Sequence, residues 1–448
     1  MKFKILDYLY PIEIAQLFRF LKSSKAFSYH QLVDHQNEKL RSIIRHAYQH
    51  VPYYRELFDE NGINPKDIQT VDDLPAIPVL TKEIIRERYD DLIADNADQF
   101  NPYENMTSGS TGAPTKFLQG KNISIARFAF FWRIWNMAGY RPYLRWAQVD
   151  GMYMGSKENL WHHNRMLNSL QISAYNLDHQ NCGRILDKLS EFKPKILRGY
   201  PTALYTLARH IDHNSYEISL PLKSIITYSE NLPPVYRKKI AHVFNCPVFD
   251  LFSQWEGVCL ISECKQNQLH QHMEYSAMEL LDKNNQPVGE KVEGEITATS
   301  FYNYSMPFIR YKTGDLATWG NRPCDCGMDH KVVDNISGRM VYVLFDTEEN
   351  LVPFQRFQIY SFVSDEYAEG LFQAQIVQDS LDKVKVYLVV KNRSNTERIE
   401  KEFTKSLKSR LGDGTNIEFV YTDTIPKKKN GKLPFIRNNL LNKEEYWA

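Results

Sequence analysis

Beyond residue 338 the chain changes its hydrophobic rhythm. "LFQAQIVQ" alternates Phe372, Ala374 and Ile376, and "VKVYLVV" alternates Val384, Val386, Leu388 and Val390, the period of a half-buried strand. Ile399, Phe403, Leu407 and Leu411 then recur every four residues, as one face of a helix requires, before "NIEFVYT" restores the period of two. Strand, strand, helix and strand within about 50 residues make a small α/β unit able to close its own core. A length of 448 residues also exceeds what one core normally supports. The expected fold class is α/β: a large N-terminal domain over 1–338 and a small C-terminal α/β lid over 339–448, parting near "ISGRMVYV" at 336–343.

The large part opens with a helical arm, 1–51. Leu40, Ile43, Ile44, Ala47 and Val51 share a helix face in its second half, and Pro52 starts a new element. Thr81 is placed to cap a charged helix, and Leu204, Leu207, Ala208 and Ile211 predict another over 202–213. The most apolar window, "FAFFWRIWNMAGY", is shorter than the roughly 20 residues of a membrane span and carries Arg133. The first 22 residues are apolar but broken by Asp7, Pro11 and Glu13, with no small-residue cleavage site, so no secretory leader is expected and the arm packs on the body or touches a membrane surface. With 55 basic and 54 acidic residues the net charge is +1, which argues against a nucleic-acid partner. Six cysteines without a leader do not read as a disulfide framework, and the expected compartment is the cytoplasm.

Several polar clusters interrupt this pattern. "MTSGSTGAPTKF" crowds hydroxyls, two glycines and a proline; it is either a surface turn or a loop whose amides and hydroxyls hold a phosphate chain. Tyr228-Ser229-Glu230-Asn231 falls between an apolar run and a Pro-initiated helix, at the strand edge where α/β sheets receive ligands. "VFDLFSQWEGV" places Asp250 after Val248 and Phe249 and then a turn bearing Glu256, a carboxylate that caps a helix or holds Mg²⁺ on a nucleotide. Gly314-Asp315 reads as a turn, or as an acid for ribose hydroxyls. Lys432 sits in a basic Asn-Gly loop that is either solvated or carries a cation to phosphoryl chemistry. Cys324 and Cys326, with Cys264, His270 and His272 upstream, are either unrelated thiols or a closed tetrahedral Zn²⁺ set in the subregion 259–330. Cys182, Cys246 and Cys259 read as small buried residues.

The order "TSGSTGAPTK", "YSENL", "DLFSQWE", "RYKTGD", "SGR", "NGK" resembles the adenylate-forming enzyme superfamily. "VPYYRELF", "LPAIPVLTKE", "LRGYPTALYTLA" and the Cys/His set narrow this to the branch of phenylacetate–coenzyme A ligases and capsule-biosynthesis adenylating proteins, over about residues 40–437. The resemblance implies that Thr107, Ser108, Gly109, Ser110, Thr111 and Gly112 grip the β- and γ-phosphates of ATP. It implies that Ser229, Glu230 and Asn231 border the adenine, with Asp250 at its amino group and Phe252 or Tyr311 stacking on it. Glu256 is implied to hold Mg²⁺, Asp315 the ribose hydroxyls, Arg339 the ribose beside a hinge, and Lys432 the substrate carboxylate and α-phosphate. Cys264, His270, Cys324 and Cys326 are the implied structural zinc ligands. The implied substrates are ATP and a small-molecule carboxylic acid. The implied acceptor is an amine or hydroxyl of a sugar precursor, with the coenzyme A thiol as the alternative. A non-catalytic zinc-binding interaction protein is the reading from another class.

Two stretches depart from the family pattern. Where relatives have Tyr-Gly before the metal-binding Glu and Ser or Thr beside it, this chain has Phe252-Ser253 and Trp255, which can reshape the acyl pocket. After Gly338-Arg339 stands Met340-Val341-Tyr342 in place of an acidic hinge residue. The altered hinge favours the amine or hydroxyl acceptor.

Overall fold

The computed structural model describes residues 10–106, 115–141, 143–152, 159–174, 177, 179–321, 324–339, 343–348, 351–353, 371–390, 396–425 and 436–440. They form two compact units that interleave along the chain: Met1–Ala138 with Phe249–Ile336, and Gly139–Val248 with Ser337–Ala448.

The first unit begins with helices α1 (Pro11–Ser23), α2 (Tyr29–His50), α3 (Pro52–Glu60) and α4 (Lys82–Glu87). Ser28 caps α2 in a reciprocal box with Gln31, satisfying two N–H groups the helix cannot satisfy itself. The buried face of α2 carries Leu40, Ile43, Ile44 and Ala47, as its spacing predicts. Thr81 accepts from the Ile84 amide and caps α4, and proline opens both α1 and α3. A hairpin of β1 (Tyr103–Met106) and β2 (Lys116–Gln119) follows, closed by the Met106–Lys116 pair, and leads into α5 (Lys121–Met137).

Helix α5 is buried on nearly every side, which explains its apolar sequence without any membrane. Among the described residues no helix is long and apolar enough to cross one. The arm packs on it, with Phe18 edge-on to Trp132 at 5.9 Å.

The second unit starts with a parallel sheet. Strands β3 (Trp146–Asp150), β5 (Ser169–Ser173), β6 (Ile196–Gly199) and β7 (Ser224–Tyr228) run in the order β7-β6-β3-β5, with β4 (Trp161–Asn164) antiparallel at the edge. Their crossovers carry α6 (His179–Phe192), α7 (Pro201–His213) and α8 (Pro234–Phe244).

The chain then returns to the first unit with β8 (Val248–Ser253), β9 (Leu260–Glu263), β10 (Leu269–Gln271), β11 (Ser276–Leu281), β12 (Glu293–Ser300), β13 (Tyr311–Trp319) and β14 (Val332–Arg339), in the spatial order β11-β12-β13-β14-β10-β9-β8. Its core joins α2 and α3 to these strands through Ile43, Tyr54, Phe58, Ile261, Ile296, Phe308 and Tyr311.

The last part of the second unit holds β15 (Val343–Phe345) paired with β16 (Leu351–Pro353), then β17 (Leu371–Ser380), β18 (Lys383–Val390), α9 (Thr396–Leu411), β19 (Asn416–Tyr421) and β20 (Ile436–Asn438). The four-stranded sheet is ordered β19-β18-β17-β20. Ala374, Ile376, Val384, Val386, Leu388, Ile399, Phe403, Leu407 and Leu411 make most of its core, as periodicity predicts, joined by Leu344, Leu371 and Ile436; Val390 packs against it, and the Phe372 side chain lies outside the described residues. Each such aliphatic or aromatic side chain adds about 1.5–3 kcal/mol on burial.

Candidate functional site

The loop 107–114 lies outside the described residues, but its base is the β1–β2 hairpin. From β2, buried Gln119 receives Asn105 Nδ2 (2.7 Å) and Arg127 Nη2 (2.8 Å) on its Oε1. Its Nε2 donates to the carbonyls of Trp255 (3.0 Å) and Glu256 (3.1 Å). The hairpin and the Glu256 turn are thereby held by one amide. Gln119 and Arg127 were not singled out in the sequence, because nothing local marks a glutamine whose partners are 136 and 137 residues away.

Glu256 is 5% exposed and accepts from the Tyr311 hydroxyl at 2.9 Å. It is a buried carboxylate in a turn rather than the cap of a helix. Tyr311 is wholly buried and its hydroxyl is committed to Glu256, so of the two rings offered for stacking, half-buried Phe252 keeps an accessible face. Trp255 lies under the Arg127 guanidinium at 5.1 Å, a cation–π contact that fixes the bulky departure from the family pattern.

Gly314-Asp315 is not a turn. Both lie inside β13, at a register shift against β12. Gly314 has φ +77, a conformation glycine adopts without strain, and its amide donates to Glu295 Oε1 at 3.0 Å. The bulge re-aims Asp315, whose amide donates to Thr313 Oγ1 at 3.1 Å. Burial and then the Asp315 carboxylate push the Cys259 thiol up. Asp250 lies within β8 rather than after it, and its amide donates to Glu263 Oε2 at 2.7 Å.

In the second unit, Ser229 follows β7 with φ +66, a left-handed conformation that costs a non-glycine residue about 1–3 kcal/mol and clusters at ligand sites. Glu230 accepts from the Thr202 amide (3.1 Å) and hydroxyl (2.7 Å), so it caps α7, which starts at Pro201 with no side-chain cap of its own. Asn231 is half-buried beyond it. Arg339 ends β14, but its side chain lies outside the described residues, as do Met340, Val341, Tyr342 and Lys432.

The cysteine–histidine set converges. Ligand atoms of Cys264, His270, Cys324 and Cys326 all lie within 4.8 Å of one another. Cys264 and Cys324 sulfurs are 3.7 Å apart and Cys326 Sγ is 3.5 Å from His270 Nε2. Tetrahedral Zn²⁺ with its usual bond lengths requires about 3.8 Å and 3.6 Å for those edges. His270 turns Nδ1 to the His330 carbonyl at 3.4 Å, leaving Nε2 for a metal, and burial first, then His330, lower its pKa to about 4, keeping it in the ligating neutral form. Four protein ligands leave no open position, the mark of a structural site.

His272, the other histidine considered, goes elsewhere. His272, Glu274 and His330 form a second, fully buried cluster, already held by Arg133 of α5: Nη1 is 2.7 Å from Glu274 Oε1, and Nη2 bonds His272 Nδ1. Ser24 Oγ donates to the same carboxylate at 2.6 Å, and His330 Nε2 is 3.4 Å from Oε2. Cys182, Cys246 and Cys259 are buried, as expected.

Residues 357–439 match the CapK C-terminal domain model. The chain is 28% identical to Protein CapK of Staphylococcus aureus over 91% of this chain and 90% of that one. It is 26% identical to phenylacetate-coenzyme A ligase of Thermus thermophilus over 71% and 73%. Among solved structures, 2-hydroxyisobutyryl-CoA ligase in a postadenylation complex superposes with a TM-score of 0.72, at 19% identity, over 94% of this chain and 92% of that one. The fold is therefore that of the adenylate-forming ligases. In sequence the chain is similar to CapK and to phenylacetate-coenzyme A ligase.

Proposed function

We propose that this protein uses ATP to activate a carboxylic acid as its acyl-adenylate, releasing pyrophosphate, and then transfers the acyl group to an amine or hydroxyl of a sugar or other surface-polymer precursor. The single observation that carries the first step is buried Glu256, fixed by Tyr311 and, through Gln119, tied to the hairpin that bears the hydroxyl-rich loop. A substrate carboxylate oxygen attacks the α-phosphorus while the bond to pyrophosphate breaks. Little covalent work falls to the protein, so orientation and charge neutralisation dominate.

In this reading Thr107–Gly112 hold the β- and γ-phosphates, Ser229 and Asn231 border the adenine, Phe252 stacks on it, and Asp250 meets its amino group. Asp315 holds the ribose hydroxyls with Arg339 beside it, and Lys432 binds the carboxylate and α-phosphate. Glu230 acts by fixing the start of α7. Glu256 holds Mg²⁺, which when bound neutralises charge on the leaving pyrophosphate. Cys264, His270, Cys324 and Cys326 hold a structural Zn²⁺. The small domain 339–448 acts as a lid in the cytoplasm.

Met340-Val341-Tyr342 in place of an acidic hinge residue supports the amine or hydroxyl acceptor; the phenylacetate-coenzyme A ligase relatives support the thiol of coenzyme A as the second reading. ATP–pyrophosphate exchange across a carboxylic acid panel tests the first step. Glu256→Gln and Lys432→Ala are each expected to lose about 10²–10³ in rate with the true acid; full exchange by Lys432→Ala would remove that residue's role. Product analysis with amino-sugar and coenzyme A acceptors separates the two second steps.

A further inference from the structure

Strands of a parallel sheet are normally apolar on both faces because both are covered. In the second unit one face follows this rule: Ala147, Val149, Leu170, Ile172, Leu197 and Ile225. The other face carries Gln148 and Asp150 of β3, Ser173 of β5, Arg198 of β6 and Tyr228 of β7. The register aligns Asp150 with Ser173 and Gln148 with Arg198.

All five are buried, and Arg198, Gln148, Asp150 and Tyr228 are linked in a row. Arg198 Nη2 donates to Gln148 Oε1 at 2.6 Å, Gln148 Nε2 to Asp150 Oδ2 at 3.2 Å, and the Tyr228 hydroxyl to the same oxygen at 3.2 Å. The Arg198 guanidinium lies over the Trp146 ring at 4.2 Å. Ser173 is 1% exposed, and its Oγ has no hydrogen-bond partner among the described residues.

Asp150, Ser173 and Tyr228 end their strands, at the carboxyl edge where α/β sheets receive ligands, and Tyr228 directly precedes Ser229-Glu230-Asn231. Opposite charges joined through Gln148 balance each other, so the row offers hydrogen bonds without net charge. We propose that this row recognises the part of the acid remote from its carboxylate, and that the acid bears a neutral hydroxyl there, accepted by Asp150 and partnered by Ser173. This rests on the acyl-adenylation reading above. An apolar acid would leave the row unmatched, and sites built to bond a substrate hydroxyl reject the analogue lacking it by up to about 10⁴–10⁵.

The test is ATP–pyrophosphate exchange by the full chain on matched pairs: butyrate with 3- and 4-hydroxybutyrate, and phenylacetate with 3- and 4-hydroxyphenylacetate. At least one hydroxy acid is expected to exceed its unsubstituted twin by about 100-fold or more in kcat/KM. Ser173→Ala and Tyr228→Phe should each shrink that ratio by about tenfold. A loss of packing alone would lower both members together and leave the ratio intact. Equal or better exchange with the unsubstituted acids, or an unchanged ratio in both variants, overturns the assignment while leaving adenylation standing. A preference for aminated twins does the same. Exchange with no acid in a wider panel, despite ATP binding, removes the adenylation reading and this inference with it.

Discussion

Two clusters rich in metal-binding side chains lie within a few residues of each other and differ in what already occupies them. Cys264, His270, Cys324 and Cys326 bring together three thiols and an imidazole at tetrahedral spacing, with no cationic side chain among them. His272, Glu274 and His330 are equally close, but the Arg133 guanidinium stands at their carboxylate. His330 touches both, its carbonyl facing His270 and its ring facing Glu274. Proximity of ligand types does not define a metal site; the countercharge does. One set has donors for a cation from solution, and the other already holds a cation from the chain.

The sharpest way to break the comparison is at Arg133. Arg133→Met or Glu274→Gln leaves a buried charge unpaired and is expected to cost about 3–5 kcal/mol in urea unfolding. The pair Arg133→Met with Glu274→Leu should recover most of it. Elemental analysis on Arg133→Met should still find one zinc per chain; two would show that the second cluster takes metal once vacated.

Next in size, a strong chelator or Cys324→Ser should abolish the zinc and lower stability by about 2.7 kcal/mol when free metal stood at about 100 times its Kd. His272→Asn should leave the zinc count at one. A zinc lost with His272 but kept with Cys324→Ser would reverse the assignment.

The smallest effect is acid sensitivity. Burial opposes the charge of Glu274, yet Arg133 and His330 hold its carboxyl well below the usual range. The folded chain then keeps that charge where the unfolded chain takes up a proton. Its contribution is complete above the ordinary glutamate value and declines as pH falls toward the folded one, by about 1.4 kcal/mol per pH unit. Urea midpoints between pH 6 and 3 should show that slope in the native chain and not in Glu274→Gln.

These contrasts mark what the sequence could disclose. Thiol and imidazole identity is local, so the Cys/His set was legible, as were the apolar faces of α2, α7 and α9, which depend on spacing alone. The Arg133–Glu274 pair was not, because its members are 141 residues apart. Gly314-Asp315 looked like a turn because a bulge uses the same glycine chemistry, and only pairing with β12 tells them apart. The capping role of Glu230 was not legible because the helix it caps starts 29 residues earlier at Pro201, with no capping side chain of its own. The polar face of the parallel strands escaped periodicity altogether, since "WAQVD" and "ILRG" are too short to show which side is covered.

The interleaving of the two units bears on how a ribosome delivers this chain. Phe130 and Arg133 emerge long before Tyr275, Tyr302 and Glu274, their eventual neighbours. At about 5–20 residues per second the wait is roughly 7–28 s. For that time an aromatic helix with an unmatched guanidinium can dock only on the arm made before it, so recovery of native protein should respond to elongation speed and to holdase supply.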